Sequence, residues 1–215
     1  MKIYHFLKDK YAKQAINNKR LKVSLFNQLN DPFELSCFNL RNHYLRDAHK
    51  VYKEGIVKKY GMIAFSKDYK NPLMWGHYAD KHMGVCLGFE SMEDDLVEVR
   101  YRAERIKIEN KTFATEKDVE DLLSIKFKDW SYEKEMRLLV KLKDAVNEDG
   151  FYFEPFTKAL KLVEVNLGFQ CQSTLRDYDI LLKSVGFDKV HLRKLNLAVS
   201  RFGVTKTIHV TAKVI

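Results

Sequence analysis

Apolar residues recur along this chain in two periods, and the switches between them mark out its elements. Residues 2–6, Lys-Ile-Tyr-His-Phe, read as a short strand. Over 9–19 the spacing places Tyr11, Ala12, Ala15 and Ile16 on one helix face. Leu21 to Leu25 alternates as a half-buried strand, and Asn27 to Glu34 (Asn-Gln-Leu-Asn-Asp-Pro-Phe-Glu) is turn-prone. Leu40, Tyr44, Leu45, Ala48, Val51, Tyr52, Ile56 and Val57 recur at threes and fours, predicting an amphipathic helix over 40–60 that ends near Gly61. Met62 to Phe65 reads as a buried strand. Asn71-Pro72 opens a helix carrying Met74, Trp75, His77 and Tyr78, with Asn71 as N-cap and proline in the first turn.

Further strands are expected at Gly84 to Phe89 and Leu96 to Tyr101, and a helix over 116–128. The segment from Trp130 to Val140 leads into an apolar strand. A strand near Leu160 to Val165, a helix over 173–185 and strands near 189–192 and 207–214 complete the pattern. Strands and helices mix without regular β-α-β alternation, and no glycine-rich phosphate loop follows a strand. The expectation is one α+β domain over residues 1–215, a mixed, mostly antiparallel sheet with flanking helices.

Composition narrows the class. Of the 215 residues, 46% are hydrophobic and 31% charged, which suits a folded chain. No apolar run approaches the ~18 residues of a membrane span, and the N-terminal apolar stretch is too short for a signal peptide. Three cysteines without Cys-x-x-Cys spacing argue against zinc or disulfides and for a cytoplasmic home. The net charge of +9 is uneven: residues 1–60 carry eight excess positive charges, 90–121 five excess negative, and 181–215 six excess positive. Basic ends suit a polyanionic partner, or simply a solvated surface.

The candidate chemistry centres on Glu133 and Glu135. Placed i and i+2 at the start of a strand, they are expected to project to one side, where paired carboxylates split their pKa values and make an acid/base pair. The structural alternative is an exposed strand start neutralised by Lys134 and Arg137. His5 sits mid-strand between aromatic neighbours that point the other way. Trp75 and Tyr78 lie three apart on one helix, as packing or as a stacking pair for a flat ring. Asp31 has a structural default, bonding backbone amides in its turn. Cys86 lies in an apolar strand and should be buried. Asp31, Glu34, Glu133 and Glu135 lack convincing spacing for a cation, and His77 has no partner four residues on, so no metal is expected.

These segments together resemble a bacterial family of domains of unknown function, number 2971, often found near phage-defence genes. The resemblance runs through Tyr4-His5-Phe6, Leu29-Asn30-Asp31-Pro32-Phe33-Glu34, Phe65-Ser66, Met74-Trp75-Gly76-His77-Tyr78-Ala79, Gly84 to Phe89 and Tyr132-Glu133-Lys134-Glu135-Met136-Arg137. It covers most of residues 3–140. The order of strand with histidine, strand-serine, helix with tyrosine and late strand with glutamate is also similar to ADP-ribosyltransferases. That likeness implies NAD as substrate, His5 on its ribose hydroxyls, and Tyr78 or Trp75 against nicotinamide. It implies Glu135 facing the positive charge that develops on the ribose, and Glu133 orienting or deprotonating an acceptor. Ser66 falls within that likeness as a cofactor-site residue; Asn30, Asp31 and Glu34 have no counterpart in the transferase pattern, and their loop is expected to border the pocket or, for Asp31, to serve the turn. The first strand offers His5 where one transferase subclass has arginine, and Ser66 is followed by Lys67 rather than by a Ser-Thr-Ser segment.

The expected function is therefore an NAD-dependent ADP-ribosyltransferase-like enzyme, a toxin or antiviral-defence effector. It would modify a macromolecule, nucleic acid first and protein next, with an antitoxin-like partner holding it in check and no membrane involved. The alternative is a non-enzymatic nucleic-acid- or protein-binding module on the same scaffold.

Overall fold

The computed structural model describes residues 1–41, 43–107 and 116–206. In chain order its elements are β1 (Lys2–Leu7), α1 (Asp9–Asn17), β2 (Arg20–Lys22), β3 (Ser24–Leu25), α2 (His43–Val57), β4 (Tyr60–Ser66) and α3 (Pro72–Tyr78). Then come β5 (Val85–Ser91), β6 (Val97–Glu98), β7 (Arg100–Arg102), α4 (Glu116–Leu123), β8 (Ile125–Phe127) and β9 (Glu135–Lys141). The chain continues through β10 (Val146–Glu148), β11 (Phe151–Pro155), β12 (Leu160–Leu167), α5 (Leu175–Ser184), β13 (His191–Leu197) and β14 (Val204–Lys206). The class is α+β with mixed, mostly antiparallel strand pairing. The strand expected at 207–214 lies outside the described residues. Among the described residues no helix is long and apolar enough to cross a membrane.

Backbone contacts gather the chain into two compact units. The first comprises Met1, residues 20–67 and residues 91–159. Its centre is the antiparallel pair β4 and β9, in register from Tyr60 opposite Lys141 to Ser66 opposite Glu135. Strand β6 adds to β9, and β3 to β4. A separate antiparallel sheet runs β10-β11-β2, and β7 pairs with β8 in parallel. Phe26, Leu35, Phe38, Ile56, Met62, Leu122 and Leu123 form the apolar core.

The second unit comprises residues 2–19, 68–90 and 160–215. Its sheet runs β14-β13-β12-β5-β1, with β12 and β13 parallel and β1 antiparallel to β5. Helix α1 packs on α5, burying Ala12, Ala15 and Ile16 against a helix that buries Tyr178 and Leu182. Asn71 caps α3 by accepting the Leu73 N–H at 3.0 Å, with proline in the first turn as its sequence requires. Cys86 is fully buried, and burial pushes its thiol well above the ordinary range.

Three helix expectations change, and the strands expected at Leu21 to Leu25 and Leu96 to Tyr101 each divide into two that join different sheets. Tyr11 leaves the apolar face of α1 and stands 47% exposed under the Lys10 ammonium. Helix α2 starts after Leu40, ends at Val57, buries only Ile56 fully and leaves Val51 exposed, so its apolar stripe is half used. The helix expected over 116–128 stops at Leu123, and Ile125–Phe127 is strand. Ser124 Oγ and Arg100 Nη2 both donate to the Asp121 carbonyl at 2.7 Å, satisfying the helix end, and Ile125 and Phe127 favour extended chain.

Gly84 shows how tightly the second unit closes. A Cβ there would fall inside van der Waals distance of the backbone carbonyl oxygens of Leu7 and Ala79. Leu7 is held by its pairing with Val85, and Ala79 accepts the Gly84 N–H at 2.7 Å, so neither oxygen can retreat cheaply. Gly84→Ala should cost about 1–3 kcal/mol of stability, read as a lowered midpoint in urea unfolding.

Candidate active site

Five buried charged side chains of the first unit converge: Glu34, Lys126, Glu133, Glu135 and Arg137. Each is placed by a local device. Asp31 accepts the Phe33 N–H at 2.9 Å, and the Glu34 N–H bonds the Asp31 carbonyl at 3.2 Å. This tight turn, with Leu35 in the left-handed region at φ 58°, aims Glu34 inwards. Lys126 is the middle residue of β8, so strand alternation sends it opposite to Ile125 and Phe127. Had the helix continued through 128, this parity would be lost.

Glu133 and Glu135 do converge, by a different route from the one expected. Glu133 is the last residue of a 3-10 segment, Lys128–Glu133, not a strand residue. Lys134 then adopts the left-handed conformation at φ 47°, ψ 51°, and Glu135 begins β9. The reversal brings both carboxylates to one ammonium: Lys126 Nζ donates to Glu133 Oε2 at 2.6 Å and Glu135 Oε2 at 2.9 Å. Glu34 Oε1 lies 3.9 Å from the same nitrogen.

Arg137 shares a face of β9 with Glu135, two residues away. Its Nε donates to Glu135 Oε1 at 2.8 Å and Nη2 to Glu135 Oε2 at 3.4 Å. Nη2 and Nη1 grip Glu34 at 2.6 and 3.2 Å, and Nη1 reaches the Leu123 carbonyl at 2.5 Å. All five guanidinium donors are thus engaged. The Leu123 contact sets a cation on the last turn of α4, where the helix dipole favours it. Around the edge, Tyr101 Oη accepts the Glu135 N–H at 2.9 Å, and Ser66 Oγ donates to the Glu133 carbonyl at 2.6 Å.

Burial alone would neutralise such carboxylates, but their partners differ. Burial works to raise the Glu135 pKa, yet Arg137 and Lys126 together outweigh it and hold the carboxyl below its usual range. For Glu34 burial wins over Arg137, and its pKa is raised. Burial would likewise strip the Lys126 proton, but Glu135 and Glu133 raise its pKa instead. Three carboxyls face two cations, and burial tips Glu34 towards its neutral form, which moves the cluster towards charge balance.

Beside this cluster lies a pocket of about 240 Å³, to whose lining Lys126 contributes. Phe33, Cys37, Arg102, Arg105 and Phe127 also line it. Burial pushes the Cys37 thiol up to about 11, so it presents a neutral wall.

The remaining predicted site residues fall as follows. Ser66 belongs to the cluster through Glu133. Asp31 is buried and shapes the turn, with Oδ2 left without a hydrogen-bond partner, while Asn30 is exposed. His5, Trp75 and Tyr78 belong to the second unit. His5 is half-buried opposite Leu87 in the β1–β5 register. Trp75 is a correction to the stacking expectation: its ring is fully buried, packs edge-on against Phe6 at 5.3 Å, and donates Nε1–H to the Tyr69 carbonyl at 2.6 Å. It offers no face to a ligand. Tyr78 is half-buried. Sequence reasoning missed Lys126 altogether and treated Arg137 only as an exposed neutraliser. The signal for Arg137 was its i+2 spacing from Glu135; nothing marked Lys126 while it lay within an expected helix. Among the described residues no three His, Cys, Asp or Glu side chains converge as metal ligands.

No family model matches this chain, and no curated protein and no solved structure matches it significantly.

Arg137→Met strands Glu34 and Glu135 in a desolvated site and should cost about 3–5 kcal/mol, measured by urea unfolding. Glu135→Gln tests the pH linkage. Because the Glu135 pKa is depressed on folding, its stabilisation is full above the unfolded value of about 4.3 and is lost as pH falls through the lower folded value. The stability gap between parent and Glu135→Gln should be widest near neutrality and close in acid; a constant gap from about pH 7 to pH 3 would contradict this.

Proposed function

We propose that the protein is an NAD-dependent ADP-ribosyltransferase-like enzyme, a toxin or defence effector acting on a macromolecular acceptor. The observation that carries this reading is the convergence of Glu133 and Glu135 on Lys126, with Glu135 held ionised by Lys126 and Arg137. A site built to meet developing positive charge needs a fixed anion of this kind.

NAD as substrate supplies a ribose whose bond to nicotinamide breaks with the electron pair leaving on nicotinamide nitrogen. Glu135, kept ionised by its two cations and immobile, is the group suited to stabilise the cation-like ribose carbon left behind. The acceptor oxygen or nitrogen then bonds that carbon and gives up its proton, for which Glu133 is the candidate base. Glu133 and Glu135 are each only 3% exposed, so their action would be electrostatic, and reaching an acceptor requires the Lys126 side chain to shift. By the resemblance alone, His5 and Tyr78, both in the second unit, are candidates for the ribose hydroxyls and the nicotinamide ring. Nucleic acid is the favoured acceptor on the charge of the chain, with protein next, and an antitoxin-like partner would restrain the activity.

The same burial favours a second reading, a non-enzymatic nucleic-acid- or protein-binding module that kept the ion cluster for stability. One assay separates the two. Purified protein is incubated with NAD and RNA, DNA or protein acceptors, and released nicotinamide and acceptor mass are measured. Glu135→Gln, and Glu133→Gln, which spares the Glu135–Arg137 pair, should lower release by on the order of a hundredfold with folding confirmed by circular dichroism. A parent protein as inert as both variants leaves the binding module standing.

A further inference from the structure

The pocket in the first unit is too small for the substrate just proposed. Pockets that enclose drug-sized ligands run from about 300 to 1,000 Å³, and a whole dinucleotide lies within that class. This cavity, about 240 Å³, suits one flat ring system. Its walls match such a guest. Phe33 comes from the Asp31 turn and Phe127 from the end of β8, and they stand 53% and 41% exposed, unusual for phenyl rings that line a concavity. Ile125 and the neutral Cys37 complete the apolar part.

Cations sit at the same place. Arg102 and Arg105 line the pocket and are exposed, and the Arg105 guanidinium lies 5.4 Å from the centre of the Phe33 ring. Stacking rings beside solvated arginines are the two parts of a single-strand binding site: the rings take a base regardless of sequence, and the cations take phosphates. Glu104, also in the lining, offers an acceptor for a base's exocyclic amine. A duplex cannot present a base this way without unstacking it.

We propose that this pocket receives one base of a single-stranded nucleic acid, stacked by Phe33 and Phe127, with its flanking phosphates on Arg102 and Arg105. Strand β8 is common to both places: Ile125 and Phe127 line the pocket, and Lys126 between them carries the ammonium that holds Glu133 and Glu135. The inference rests on the enzymatic reading only in making the bound strand the acceptor. Binding itself is independent of it.

The test is fluorescence anisotropy with labelled RNA and DNA oligonucleotides of about 12 nucleotides, their duplexes, and a free mononucleotide as competitor. Single strands should bind at least about tenfold more tightly than duplex, and the mononucleotide at least about tenfold more weakly than the strand. Phe33→Ala and Phe127→Ala, both at exposed positions, should each lose about tenfold or more. Arg102→Gln and Arg105→Gln should each reduce the salt slope by about 0.7. Parent-like affinity in both phenylalanine variants, indifference to strandedness, or equal binding of the mononucleotide overturns the proposal. Strand binding without any nicotinamide release would sink the enzymatic reading and leave this one intact.

Discussion

The first unit is organised around the Arg137 guanidinium. Five hydrogen bonds tie β9 to the Asp31–Glu34 turn, to the C-terminus of α4 and to Glu135 on its own strand. Taking such an ion out of water is costly unless every donor is matched, and here every donor is. The arrangement constrains three separate segments at once: the turn must present Glu34, the helix must end at Leu123, and β9 must begin at Glu135. A packed apolar core holds these elements together, but it does not specify such registers. A cation with five directional donors does.

Two carboxyls of the cluster shift in opposite directions. Glu135, gripped by two cations, stays ionised, whereas Glu34 is held by Arg137 alone at close range and burial dominates it. The sign of each shift follows from partners rather than from depth, since both side chains are 3% exposed. Folding therefore favours the charged form of one carboxyl and the protonated form of the other. A proton entering the cluster is therefore favoured on Glu34 over Glu135.

Lys126 stands at the boundary of this interior. Its ammonium holds two carboxylates and lies 5.1 Å from the Trp130 ring centre, while its strand, β8, contributes to the pocket lining.

The α+β class, most strands, the N-capped α3 and the structural turn at Asp31 were legible in the sequence. Each rests on local chemistry: residue alternation, proline in a first turn, a short side chain bonding nearby amides. That Glu133 and Glu135 would converge was expected from their spacing, though the turn that brings them together was not, because Lys134 carries no mark of a left-handed residue. The strand over Ile125–Phe127 was invisible as well, since its start is set by Ser124 and the distant Arg100 capping one carbonyl. With it went Lys126, whose inward direction depends wholly on that strand. Tertiary structure alone decided that Arg137 is enclosed rather than solvated and that Trp75 is core. In both cases the reason is the same: burial is a property of what packs around a side chain, and neighbours drawn from distant stretches of chain leave no trace in local periodicity.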